Sequence, residues 1–184
     1  MKVRALAGAI MAVTLAVTSA ASFAKDQGHG VITFKGAIID APCSIAQDSQ
    51  YQTVDMDQIS NVALKNGGKS NPKTFKIELR GCELGALKSA TATFTGSPSS
   101  NPDLLAIRGT AQGASLAIAN HTGELIKLGE ASPAQTLSDG NTFLQFSAYL
   151  QGDMVSPAGG GEAKPAEIVP GDFETFANFT LAYQ

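Results

Sequence analysis

The chain has 184 residues, a formal net charge of −3 and no tryptophan, and this mildly acidic balance excludes the basic surface that a nucleic-acid binder needs. Its two cysteines and two histidines offer no close Cys-x-x-Cys spacing for a metal. Beyond the amino terminus, no apolar run is long enough to cross a bilayer as a helix.

The first residues, MKVRALAGAIMAVTLAVTSAASFA, place Lys2 and Arg4 ahead of an uncharged apolar core from Ala5 to Val17 and finish on small residues. This is the pattern of a secretory signal peptide over 1–24, with a cut after Ala24. The core is too short to span a bilayer comfortably, so removal is expected rather than anchoring. Losing 24 of 184 residues leaves 160, one domain's length, in which 11 Lys and Arg face 16 Asp and Glu for a formal charge of −5.

The mature chain opens on KDQGHGVITFKGAIIDAPC, an extended run with Gly30, Ile32 and Phe34 on one parity and Val31, Thr33 and Lys35 on the other. Cys43 ends it, and Cys82 stands 39 positions later. In an exported protein this pair is expected to be a disulfide, and closing a loop of that length stabilises a fold by about 4 kcal/mol in the chain-entropy model.

Between the cysteines, MDQISNVAL is expected to form a short helical turn, and Phe75, Ile77 and Leu79 mark one face of a strand over 74–79. Shorter strands are expected over 90–95 around Phe94, 115–119 and 124–128. In NTFLQFSAYLQ, Leu144, Phe146, Ala148 and Leu150 alternate with Phe143, Gln145, Ser147 and Tyr149. The last residues, GDFETFANFTLAYQ, put Phe173, Thr175, Ala177, Phe179, Leu181 and Tyr183 on every second position and read as one strand with an apolar face. NGGKSNP, GSPSSNP, SDGN and SPAGGGEAKP are turn-rich punctuation, and AGGGEAKPA within the last is expected to be a mobile loop. This spacing predicts an all-β sandwich.

No chemistry assembles from these residues. His29 and His121 lie in a Gly-rich leader and a predicted turn, without a nucleophile elbow or a ligand cluster, so neither a catalytic residue nor a cofactor is assigned. Asp55 and Asp57 are read as a solvated acidic pair rather than a metal site. Asn120 and Asn178 begin glycosylation triplets, a weak signal, and Asn178 falls within the terminal strand.

The Gly-rich leader GHGVITFKGAIIDAPCSI, the second cysteine in FKIELRGC, the strand NTFLQFSAYL, Gly171 and the terminal FANFTLAYQ together resemble chaperone–usher pilins. The similarity is greatest to the major rod subunits of P-type and type 1 fimbriae and spans essentially the whole mature chain. It implies an incomplete immunoglobulin-like sandwich over 37–184 that lacks its seventh strand and keeps a groove open. It also implies that the terminal strand flanks the groove, with Phe173, Ala177, Phe179, Leu181 and Tyr183 pairing with a periplasmic chaperone and Gly171 at the family's glycine. The leader, 25–36, would be a donor strand entering a neighbour's groove, with Ile32 and Phe34 as anchors and Gly28, Gly30 and Gly36 on the same parity. The disulfide would join the first strand region to the second.

The resemblance thus implies a structural subunit of an adhesive fimbria of a Gram-negative bacterium. It would be exported to the periplasm, held by a chaperone, polymerised head to tail with identical or related pilins at an outer-membrane usher, and displayed outside the cell. One domain and a leader fit a rod subunit, since a tip adhesin is expected to carry a receptor-binding domain and a terminator to lack a donor. Intramolecular and donated strands alternate identically, so the residues alone leave open a secreted, monomeric β-sandwich that binds carbohydrate or protein.

Overall fold

The computed structural model describes residues 29–157 and 161–184. The expected signal peptide and Gly28 lie outside the described residues, as do residues 158–160 of the Gly-rich loop. The chain divides into two units after Ile38. In the first, residues 29–38 form no helix or strand, and Val31, Ile32, Phe34 and Ile38 expose most of their side chains.

The second unit is built from antiparallel strands. In chain order these are β1 (Ser44–Ile45), β2 (Lys73–Cys82), β3 (Ser89–Gly96), β4 (Leu105–Ala106), β5 (Arg108–Gly109), β6 (Ala114–Asn120) and β7 (Leu125–Ile126). They continue as β8 (Gln135–Thr136), β9 (Gly140–Gly152), β10 (Met154–Val155), β11 (Lys164–Pro165), β12 (Phe173–Glu174) and β13 (Ala177–Tyr183). Two single-turn helices, α1 (Gln47–Gln50) and α2 (Asn61–Leu64), lie between β1 and β2. The second is the turn expected in MDQISNVAL, capped by the Ser60 hydroxyl accepting from the Val62 N–H.

The largest sheet runs β1-β2-β9-β6-β4, with β7 also on β6, a second runs β13-β3-β8, and β10-β11 and β12-β5 are two-stranded pairs. Register sets the core. Phe75 pairs with Phe146 and Ile77 with Leu144 across β2 and β9, while Leu116 pairs with Leu150 and Ile118 with Ala148 across β6 and β9. Because side chains alternate between faces, these residues all point to one side, where Ala90, Ala92 and Phe94 of β3 meet them. Phe75, Phe94 and Phe146 pack with ring centroids 5.0–6.2 Å apart, two of the three contacts edge to face.

Every residue of β6 is buried, because its outward face is covered as well. Leu104, Ala117, Ala119 and Tyr149 form a second apolar cluster there, and the Lys69 ammonium lies 5.0 Å from the Tyr149 ring centre. Cys43, immediately before β1, is bonded to Cys82 at the end of β2, pinning the first strand region to the second.

Two expectations need correction. The terminal segment is not one strand: it breaks at Thr175 and Phe176, so β12 pairs with β5 while β13 pairs with β3. The strand expected over 124–128 shrinks to Leu125–Ile126. Its turn is held instead by the Asn120 side chain, which accepts from the N–H groups of Thr122 and Glu124 and donates to the Glu124 carboxylate. Buried and occupied in this way, Asn120 is a turn residue rather than an accessible modification site.

Candidate functional site: an apolar groove beside the terminal strand

The two sheets do not close over their shared core. An open groove of about 1260 Å³ runs along it, floored by Phe75, Phe94, Leu105, Leu116, Ile118 and Leu150. Leu105 is fully buried at the bottom, whereas Phe75 in the middle of the core is only partly covered. A core aromatic left half-covered is the mark of a missing layer, since interiors otherwise pack to crystal density.

One wall is β13, an edge strand paired with β3 alone among the described residues. The ladder fixes which of its backbone groups are used. Gln184 and Ser89 exchange both hydrogen bonds, at 2.9 and 3.1 Å. Closely and widely spaced pairs alternate along an antiparallel ladder, so Ala182, Thr180 and Asn178 exchange bonds with β3 in the same way. The N–H and C=O groups of Tyr183, Leu181, Phe179 and Ala177 therefore face the open edge. Phe179, Leu181 and Tyr183 also pack their half-buried side chains on the core, so these residues combine an apolar inner face with an unpaired backbone rim. Burial pushes the Tyr183 phenol above its ordinary pKa, because the charged form loses hydration there.

The opposite wall is the segment 51–59, where Val54, Met56 and Ile59 turn inward and Asp55 and Asp57 outward. Among the described residues it makes no backbone-to-backbone hydrogen bond. It is tied to β2 by side chains: the Gln52 amide donates to the Lys76 carbonyl, and Lys73 pairs with Asp57. Hydrogen bonding to Asp57 holds the Lys73 ammonium above its ordinary pKa. Sequence reading took Asp55 and Asp57 only as a solvated pair; the alternation of Val54 and Met56 with them was the available sign of a wall.

One end of the groove is shaped by 166–175 lying along 106–113. Gln112 and Val169 exchange both backbone bonds, and the Asp172 carbonyl accepts from Thr110 and Ala111. Gly171 sits in this seam: a Cβ there would stand 2.3 Å from Thr110 Oγ1 and 2.7 Å from the Ala111 nitrogen. Glycine is required for that close approach.

Of the positions expected to act together, Phe173, Ala177 and Phe179 line the groove, with Phe173 on the separate β12 and Ala177 exposed at the break, while Leu181 and Tyr183 pack half-buried on the core beyond the lining. Gly30, Ile32, Phe34 and Gly36 are exposed in the first unit. His121 is exposed in the turn after β6, and Asn178 is exposed on the outer face of β13. No group of three or more metal-ligating side chains and no helix long and apolar enough to cross a membrane occurs among the described residues.

Comparison with known proteins gives this groove its context. The chain is 58% identical to the fimbria A protein of Serratia marcescens over 88% of each chain. It is 45% identical to the major MR/P fimbria protein of Proteus mirabilis over 95% of each. Among solved structures, a chaperone–usher pilus studied for its rod uncoiling superposes with a TM-score of 0.68 at 32% identity, covering 86% of this chain and 97% of that one. The P pilus rod subunit PapA gives 0.63 at 30%, covering 78% and 100%. These neighbours share the incomplete immunoglobulin-like sandwich seen here, whose open side is the groove. The model of the fimbrial protein family matches residues 32–184, and the chain accordingly belongs to that family, as a structural component of fimbriae on the cell surface and not an enzyme.

Proposed function

We propose that this subunit polymerises head to tail by donor-strand exchange, each groove receiving residues 25–36 of the next subunit. The observation that carries the reading is the groove itself: an open apolar trough with β13 along one wall, the backbone groups of Ala177, Phe179, Leu181 and Tyr183 facing the strand's free edge. A strand entering it gains main-chain hydrogen bonds for affinity and pockets for alternate side chains for register. The leader's alternating Ile32 and Phe34, flanked by Gly30 and Gly36, have the matching pattern. The contact is heterologous and does not close, so repetition produces a fibre.

Before assembly the same groove is exposed apolar surface in the periplasm. A periplasmic chaperone lends it a strand, with Phe173, Phe179, Leu181 and Tyr183 setting the fit, and an outer-membrane usher exchanges that strand for a leader. The signal peptide over 1–24 directs export, and the mature body spans 37–184. Similarity to rod subunits supports a rod position in the fibre.

The two ends are separable by mutation. Phe34→Asp damages the donor alone, so chaperone-bound subunit accumulates while the ladder of oligomers on a mildly denaturing gel disappears. Tyr183→Ser damages the acceptor, so periplasmic abundance falls instead. Normal ladders from both variants refute the assignment, and a stable monomer secreted without any chaperone would favour a complete binding module.

A further inference from the structure

The groove's charges are one-sided. Its lining includes Asp55 and Asp57 on one wall and Asp172 and Glu174 at the end shaped by 166–175, and no lysine or arginine. Asp57 is paired with Lys73, and Arg108 stands in register with Glu174 across β5 and β12. Lys73 also feels the Asp55 carboxylate, though no ion pair joins Asp55, Asp172 or Glu174 to a cation among the described residues. All four carboxylates are on exposed residues. An apolar trough with an acidic rim discriminates among strands of equal hydrophobicity, because a like charge at the rim is repelled and an opposite one attracted.

The leader matches in sign. Within 25–36, KDQGHGVITFKG, Lys25, Asp26 and Lys35 carry a net charge of +1, and Lys35 is the charge beside the Ile32 and Phe34 anchors. It falls on the parity opposite Ile32 and Phe34, so when those side chains point down into a groove, Lys35 stands out of it at rim height. Resting on the donor-strand reading, we infer that Lys35 is a specificity residue: its ammonium and the carboxylates of Asp55, Asp172 and Glu174 on a second copy of this chain steer leader capture. The anchors hold the strand once seated; the charges act on its approach. The effect belongs to the association rate and is erased by salt.

The test is stopped-flow capture of a fluorescent peptide of residues 25–36 by the mature subunit. Raising salt from about 0.01 M to about 1 M shortens the screening length from roughly 30 Å to 3 Å. Wild-type capture then slows about threefold to tenfold, near the low end of electrostatic steering because few charges take part. At low salt a Lys35→Glu peptide is captured more slowly than wild type and a Lys35→Gln peptide at an intermediate rate; at high salt all three converge. A subunit carrying Asp55→Asn, Asp172→Asn and Glu174→Gln removes the difference between peptides while still binding them at high salt, which also shows that it is folded. Equal low-salt rates for wild-type and Lys35→Glu peptides overturn the charge assignment and leave the groove reading standing. No capture of the wild-type peptide at any salt overturns both.

Discussion

Phe34→Ala offers the most quantitative test of the donor assignment. In the described chain the Phe34 side chain is 89% exposed, so seating it in a neighbour's groove, as the donor assignment requires, gains nearly its whole apolar area. At about 25 cal/mol per Å², burying such a side chain contributes about 1.5–3 kcal/mol, and truncation to alanine retains only the Cβ. With about 0.8 kcal/mol retained by the Cβ, the loss is about 0.7–2.2 kcal/mol, or roughly 3- to 40-fold weaker binding. Related complexes differ mainly in dissociation, so most of the change belongs in the off-rate. The assay is displacement of labelled leader peptide from the mature subunit by excess unlabelled peptide, comparing wild-type and Phe34→Ala sequences. Val31→Ala serves as the control, since Val31 is also exposed but falls on the other parity. If Phe34→Ala dissociates within twofold of wild type while Val31→Ala is as damaging as predicted for Phe34, the even-parity face is not the one that enters the groove.

Three further outcomes follow from the geometry. Gly171→Ala forces a Cβ against Thr110 and the Ala111 nitrogen, so the urea midpoint of the subunit falls by the equivalent of about 1–3 kcal/mol; an unchanged midpoint shows that the seam relaxes freely. Replacing Cys43 and Cys82 together by serine opens the loop closed by the disulfide and costs about 4 kcal/mol in the chain-entropy model, measured as a drop in melting temperature that reductant reproduces in wild type. The raised Tyr183 pKa means that the neutral phenol is the form the fold favours. Its contribution is complete below the ordinary tyrosine value of 10.0 and is lost as pH rises through the raised value. Urea midpoints should therefore decline more steeply above pH 10 for wild type than for Tyr183→Phe, and parallel curves would contradict the burial of this ring.

The groove's usefulness rests on incompleteness, which has a cost. An edge strand with an apolar inner face associates with whatever strand it meets, and on the reading proposed here that hazard is managed by covering the groove until a leader arrives. Rim charges would add selectivity that apolar anchors alone do not supply.

Periodicity made much of the body readable. Strand β9 shows alternate residues at Leu144, Phe146, Ala148 and Leu150, all buried on the core face, and β2 does the same with Ile77 and Leu79. Such signals survive because each residue's face depends on its own parity. The two cysteines in an exported chain sufficed to expect the bond.

Tertiary structure decided what parity cannot encode. The break at Thr175 and Phe176 arises because β12 finds its partner in β5 and β13 finds its own in β3, a choice between distant segments with no local signature. Segment 51–59 became a wall only by lying against β2 through Gln52 and Asp57, and the acidic rim exists only because 172–174 comes to one end of the same trough. Whether a strand has a neighbour on both edges is a property of the whole sheet, and alternation along one strand is blind to it.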